Sequence, residues 1–324
     1  MIPRFVALVL LCCAGCAAVA QEHDIEPEVR AVLTTSLRFS DADLAALRRG
    51  QVLKHGLPSR APGEIAVVGA VRIGAPKETF FARVRDIARF KSGPEVLQIG
   101  RFSTPPALQD LAALTIDADD FDVKTCRVGD CNARLPAEAI ERFAREIDRT
   151  ATDAQARGAA LFKQILIDDV TAFLAGADLL AQYDDGGTPI RRRDEYEGIR
   201  ANMPEIGALM PPPAEEFVYW SKEKFGLAPF ITVTHVTIGC RSASTCLMTT
   251  RDVYSSRYLD ASLALAIATD AGTPDAFYLV YDNRSRANAL KGGFGALRRS
   301  LAGRRARAGL EESLNTIKKL LEKG

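Results

Sequence analysis

The chain has 324 residues, with 42 Lys and Arg against 41 Asp and Glu and only three histidines. That balance excludes a general nucleic-acid binder, which carries a basic surplus, and three histidines leave little material for a metal site built on several of them. The 47% apolar and 26% charged content is that of a globular protein, one large domain or two small ones.

The first 20 residues read as an export signal. Arg4 supplies a positive start, residues 5–14 are uncharged and mostly apolar, and Ala18-Val19-Ala20 fits signal peptidase cleavage before Gln21. The apolar run is shorter than the roughly 20 residues a membrane-spanning helix needs. A lipoprotein signal is the alternative, with Cys16 acylated. Gly15 suits it, but the box Cys13-Ala14-Gly15-Cys16 lacks the usual first Leu. Either way the expectation is an exported protein, periplasmic or secreted, or else anchored through Cys16. Loss of Arg4 with the signal leaves 41 basic and 41 acidic residues.

Residues 21–62 read as a lead-in. Ser40-Asp41-Ala42-Asp43 caps a short helix from Asp43 to Arg49, Gly50 stops it, and Pro58 and Pro62 mark a linker. The main domain is expected over 63–324. It opens with a β-branched strand, Glu64 to Ile73. Pro76 then starts a helix with Phe80, Phe81, Val84, Ile87 and Phe90 at helical spacing. A second strand runs from Val96 to Phe102, and a short helix from Pro105 to Leu114. Segments 121–126 and 131–135 are expected to form a hairpin.

Between 136 and 226 strand signals nearly vanish. Helices are predicted over 137–147, over a long stretch from Asp153 to Tyr183, and more briefly over about 191–203 and 214–224, the last two separated by Pro211-Pro212-Pro213. This reads as a helical insertion. Strands return at 230–239, 246–258, 261–269 and 276–282, close enough together to be antiparallel neighbours. Gly292-Gly293-Phe294-Gly295 leads into a long terminal helix, whose apolar residues include Phe294, Leu297, Leu301, Leu314, Ile317 and Leu321.

Four cysteines remain after the signal. Cys126 and Cys131 bracket one turn-rich loop, Cys240 and Cys246 another. In an oxidising compartment these read as two local disulfides. A four-thiolate zinc site is the alternative, but the spacing is not the usual C-x2-C, so no metal and no cofactor is expected.

Catalytic motifs are weak. Ser221-Lys222-Glu223-Lys224 matches S-x-x-K, and Lys91-Ser92-Gly93 resembles the K-T-G element of the same enzymes, but it precedes S-x-x-K instead of following it. Gly292-Gly293-Phe294-Gly295 lacks the Walker ending. Asp117, Asp119, Asp120 and Asp122 lack EF-hand spacing and read as a solvated loop. One charge asymmetry stands out. From Asn283 to Leu310 there is no acidic residue, yet Arg284, Arg286, Lys291, Arg298, Arg299, Arg304, Arg305 and Arg307 are all basic. A solvated helix face is one reading and contact with anionic membrane lipids the other.

The layout is α+β: an antiparallel sheet of about seven strands and one long C-terminal helix to cover it. Over roughly 63–135 and 229–322, with Gly63-Glu64-Ile65 through Ile87 most alike, it resembles the helix-grip fold of the START and Bet v 1-like superfamily, a curved sheet gripping a C-terminal helix around an apolar cavity. The resemblance implies a binder or carrier of a lipid or other apolar small molecule. Its cavity would take polar contacts from His235, Arg257 and Tyr281 and apolar ones from Phe294, Leu297 and Leu301, with the insertion either roofing or filling it. The alternatives are an envelope enzyme of cyclase or hydrolase type, pairing His235 with a carboxylate such as Asp252, and a structural protein with a filled core.

Overall fold

Six long runs rich in β-branched, aromatic and alanine residues build one sheet, and the helices pack against it on both sides. A computed structural model describes residues 25–177, 182–184, 188–224 and 228–323. The export signal, its cleavage site and Cys16 lie outside the described residues. In chain order the elements are α1 (Pro27–Thr35), α2 (Asp41–Arg48), β1 (Leu53–Gly56), β2 (Glu64–Ile73), α3 (Lys77–Arg85), α4 (Ile87–Phe90) and β3 (Val96–Arg101). Then come α5 (Ala137–Glu146), α6 (Ala154–Leu174), the small hairpin β4 (Gln182–Asp184) and β5 (Pro189–Arg191), α7 (Arg192–Arg200) and α8 (Pro204–Leu209). The chain closes with β6 (Glu215–Glu223), β7 (Phe230–Cys240), β8 (Thr245–Ser255), β9 (Ala261–Asp270), β10 (Phe277–Arg286) and α9 (Gly295–Glu322).

Eight strands form one open sheet in the order β1-β2-β10-β9-β8-β7-β6-β3, antiparallel at every pairing. β2 pairs with β10, so α3 and α4 carry the chain across the width of the sheet to β3 at the far edge. From β6 to β10 each strand pairs with the next, and α9 then returns along β2. An α+β fold with an antiparallel sheet and a long C-terminal helix is thus present, in an arrangement compatible with a helix grip.

Strand periodicity sorts the two faces. On one face, Val67, Val71, Tyr219, Val236, Met248 and Leu279 meet α3, α4 and α9. Gly69 lets α9 lie close, because a Cβ there would stand 2.8 Å from Leu314 Cδ1. On the other face, Val218, Trp220 and Val233 pack against α5 and α6, and Val68, Leu265 and Val280 against α1, α2, α7 and α8.

Three expectations are corrected. Residues 215–223 are strand β6 of the main sheet instead of a helix: Phe217-Val218-Tyr219-Trp220 is β-forming and pairs with both β3 and β7. The segment between β3 and β6 neither roofs nor fills a cavity under α9; it covers the opposite face. The long helix expected from Asp153 ends at Leu174. Two smaller expectations change as well. Residues 121–135 form turns joined by the Arg127–Asp130 bridge instead of a strand hairpin, and the lead-in holds an additional helix, α1, and the edge strand β1. The capping box of α2 is present: the Asp43 backbone N–H donates to Ser40 Oγ at 3.1 Å, and the Ser40 N–H to Asp43 Oδ2 at 2.8 Å.

Both cysteine pairs are joined, Cys126 to Cys131 and Cys240 to Cys246. The second ties the turn end of the β7–β8 hairpin, where the two residues are directly opposite. Among the described residues no helix is long and apolar enough to cross a membrane.

Candidate functional site

Between α9, α3, α4 and the sheet lies a cavity of about 490 Å3. Its walls are apolar: Phe80, Val84, Ile87 and Phe90 from α3 and α4, Ala306, Leu310, Leu314 and Ile317 from α9, and Val67, Val236, Met248 and Leu279 from the sheet. The floor changes character where β6, β7 and β8 meet. Alternate residues of these strands point the same way, so Tyr219 and Glu223 of β6, Thr232 and Thr234 of β7, and Thr250 and Asp252 of β8 form one polar patch.

The patch is bonded internally. Lys91, at the end of α4, donates from Nζ to Glu223 Oε1 at 2.6 Å and lies over the Tyr219 ring at 5.3 Å. Ser221 Oγ donates to the same carboxylate oxygen at 2.6 Å and lies 2.9 Å from Thr232 Oγ1. Thr234 Oγ1 donates to Asp252 Oδ1 at 3.1 Å. Burial works to lower the Lys91 ammonium, but Tyr219 and Glu223 outweigh it and hold it charged. Burial pushes the Asp252 carboxyl up to about 6, against the pull of Arg192, the Thr234 hydroxyl and Lys91. Burial, with Tyr219 beside it, likewise pushes the Tyr281 phenol up to about 12, so it is a neutral hydroxyl at physiological pH. Among the described residues, the one cation lining the cavity is therefore already neutralised by Glu223, and Asp252 is a carboxyl that takes up a proton readily.

The residues expected to line a cavity divide. Tyr281 is in it. His235 points to the other face, where Nε2 lies 3.0 Å from Glu216 Oε2 and the ring meets Phe173 edge-on at 5.0 Å. It lines a depression of about 700 Å3 whose rim includes the exposed side chains of Arg193, Glu197, Arg200 and Glu216. The pairing of His235 with Asp252 is thereby ruled out, since their strands turn them to opposite sides of the sheet. Arg257 lies outside the cavity. Its Nε donates to Asn132 O at 2.7 Å and Nη1 to Pro229 O at 3.3 Å, and Nη2 bonds Asp119 O, so it clamps loops together.

Phe294, Leu297 and Leu301 are also outside: they are 77%, 62% and 46% exposed. The face of α9 laid on the sheet is instead Leu310, Leu314 and Leu321, with Ala306 and Ile317 beside it. Arg298, Arg304 and Arg305 are exposed and Arg299 and Arg307 half-buried. Ser221 of the S-x-x-K sequence lies on strand β6, which ends at Glu223, so no helical turn brings Lys224 to the serine. Lys222 instead meets Asp120 at 2.5 Å in a buried ion pair, which also corrects the reading of Asp117 to Asp122 as merely solvated.

Sequence reasoning missed Lys91, Ser221 and Glu223 as one constellation, and Tyr219, Thr232 and Thr234 with it. Once β6 is read as a strand, period-two alternation finds three of them. Among the described residues no cluster of three or more His, Cys, Asp or Glu side chains could hold a metal ion. No family model, curated protein or solved structure matches this chain.

Proposed function

We propose that this chain is a binder or carrier of an apolar small molecule or lipid, built on a helix grip of the START and Bet v 1-like kind. The observation that carries this reading is the cavity of about 490 Å3 between α9 and the sheet, within the few-hundred Å3 range of small-molecule sites. Apolar walls reward an apolar body at about 25 cal/mol per Å2 removed from water. A packed structural core leaves no such space, and the histidine on which an acid–base enzyme was to rest faces away from the cavity. Two disulfides fit an oxidising, exported compartment.

The polar patch narrows the ligand class. A carboxylate head would have to displace Glu223 from Lys91 and would lie near Asp252, which is largely ionised at neutral pH. An uncharged head with a hydroxyl or carbonyl faces neither cost and finds the hydroxyls of Thr250 and Tyr281 beside it. The favoured cargo is therefore a mainly apolar molecule with an uncharged, hydrogen-bonding end. Protein exported by a bacterial host should yield such a molecule on solvent extraction and mass spectrometry, in near-stoichiometric amount. Ala306→Phe, which fills the cavity from α9, should lose it. Folded wild-type protein that yields no cargo and takes up no long-chain alcohol would overturn the reading.

A further inference from the structure

The terminal helix has two apolar faces, and only one of them is used by the fold. At about 100° per residue, Leu310, Leu314 and Ile317 share the side pressed to the sheet. Phe294, Leu297 and Leu301 fall within about 60° of one another on nearly the opposite side, where all three are exposed. Exposed large apolar residues grouped in this way mark an interaction surface.

The charges around that second face say what it meets. Arg298 and Arg305 lie along one flank and Arg304 along the other, all exposed, and no acidic residue occurs between Asn283 and Leu310. Arg298 stands in the first turn of α9, where the helix macrodipole disfavours positive charge and no acidic residue offsets it. Arg298 does bond back to Ala289 O, but Arg304 bonds only within its own helix, to Ser300 Oγ. An apolar strip with cations on both flanks is the pattern of a helix lying in the headgroup region of an anionic bilayer, side chains inserted and guanidiniums on phosphates.

We propose that the first half of α9, through Phe294, Leu297 and Leu301 flanked by Arg298, Arg304 and Arg305, docks this protein on an anionic phospholipid membrane. Ala306, one residue past Arg305, lines the cavity, so docking would set the cavity wall beside the lipid surface. The docking itself does not depend on any cargo.

Vesicle flotation of the full mature chain tests it. The protein should float with phosphatidylcholine vesicles containing phosphatidylglycerol, stay behind with phosphatidylcholine alone, and be released by high salt. Arg304→Gln with Arg305→Gln should weaken partitioning roughly 30-fold. Phe294→Ser with Leu297→Ser and Leu301→Ser should abolish it even at low salt. Because these side chains are exposed, both variants should keep the wild-type circular dichroism, and Phe294→Trp should show a blue-shifted emission component only with the anionic vesicles. Failure of the wild type to float, or flotation unaffected by the arginine changes, would overturn the proposal. So would a wild-type dimer that the three serine changes dissociate, since the face would then pair with a second copy.

Discussion

The two faces of the central sheet solve opposite problems. On the side of α1, α2 and α5–α8, charged groups are packed against one another beneath the helices, although among the described residues both carboxylate oxygens of Asp282 and Arg284 Nε have no hydrogen-bond partner. Glu64, 1% exposed, takes Arg284 at 3.1 Å, Arg286 at 3.0 Å and Asn202 Nδ2 at 3.0 Å, and Arg286 continues to Glu195. On the side of α9 the polar groups form a patch that looks into space. Lys91, Glu223, Thr234 and Asp252 bond one another at the edge of an apolar cavity. The contrast is between charge buried against charge and polar side chains that line open volume; under the proposed function the first holds the protein together and the second meets the ligand.

The sharpest way to break the comparison is to disrupt the packed face. Glu64→Ala would leave the buried Arg284 guanidinium without a carboxylate and Arg286 with Glu195 alone, and should cost about 3–5 kcal/mol, read in urea unfolding. A loss below about 1 kcal/mol would mean the network is not structural. On the cavity face Asp252 should behave in the opposite sense. Its folded value of about 6 lies above the ordinary 3.8, so the folded state takes up a proton over that window and stability falls as pH rises through it. Asp252→Asn should therefore stabilise the protein above pH 6, by at most about 3 kcal/mol. The gain should vanish near pH 4; a variant less stable at pH 7 would contradict this. The smallest effect belongs to the hairpin tie. Replacing Cys240 and Cys246 by Ser opens a short loop, so the loss should be about 2 kcal/mol with cargo binding unchanged, since neither residue lines the cavity. Loss of cargo would place the hairpin end in the site.

Much of the fold was legible because β2, β3 and β7–β10 are β-forming runs bounded by Gly, Pro or Asp, and α9 has a clear helical period. β6 was misread because Pro211-Pro212-Pro213 precedes it and Ser221-Lys222-Glu223-Lys224 follows its aromatic core, which together mimic a loop and a short helix. β1 was missed because Leu53-Lys54-His55-Gly56 holds no β-branched residue, and it is a strand only through pairing with β2. The site was less legible for a geometric reason. With helices on both sides, both faces of each strand are largely buried, so no polar–apolar alternation says which face holds the cavity. His235 and Thr234 are equally plausible by pattern, and only the three-dimensional fold places Thr234 inside. The same ambiguity misassigned Phe294, Leu297 and Leu301, because α9 carries two apolar stripes and composition does not say which meets the sheet.

The central claim is that the space beneath α9 takes an apolar ligand, and the most direct measurement is a titration with the uncharged probe N-phenyl-1-naphthylamine. Enhanced probe fluorescence should saturate at one probe per chain. 1-Dodecanol should displace it, and dodecanoate should compete more than tenfold less well at neutral pH. Ala306→Phe should abolish the signal while keeping the wild-type circular dichroism. A folded wild-type protein that gives no saturable signal, or an unchanged signal in Ala306→Phe, would contradict the account.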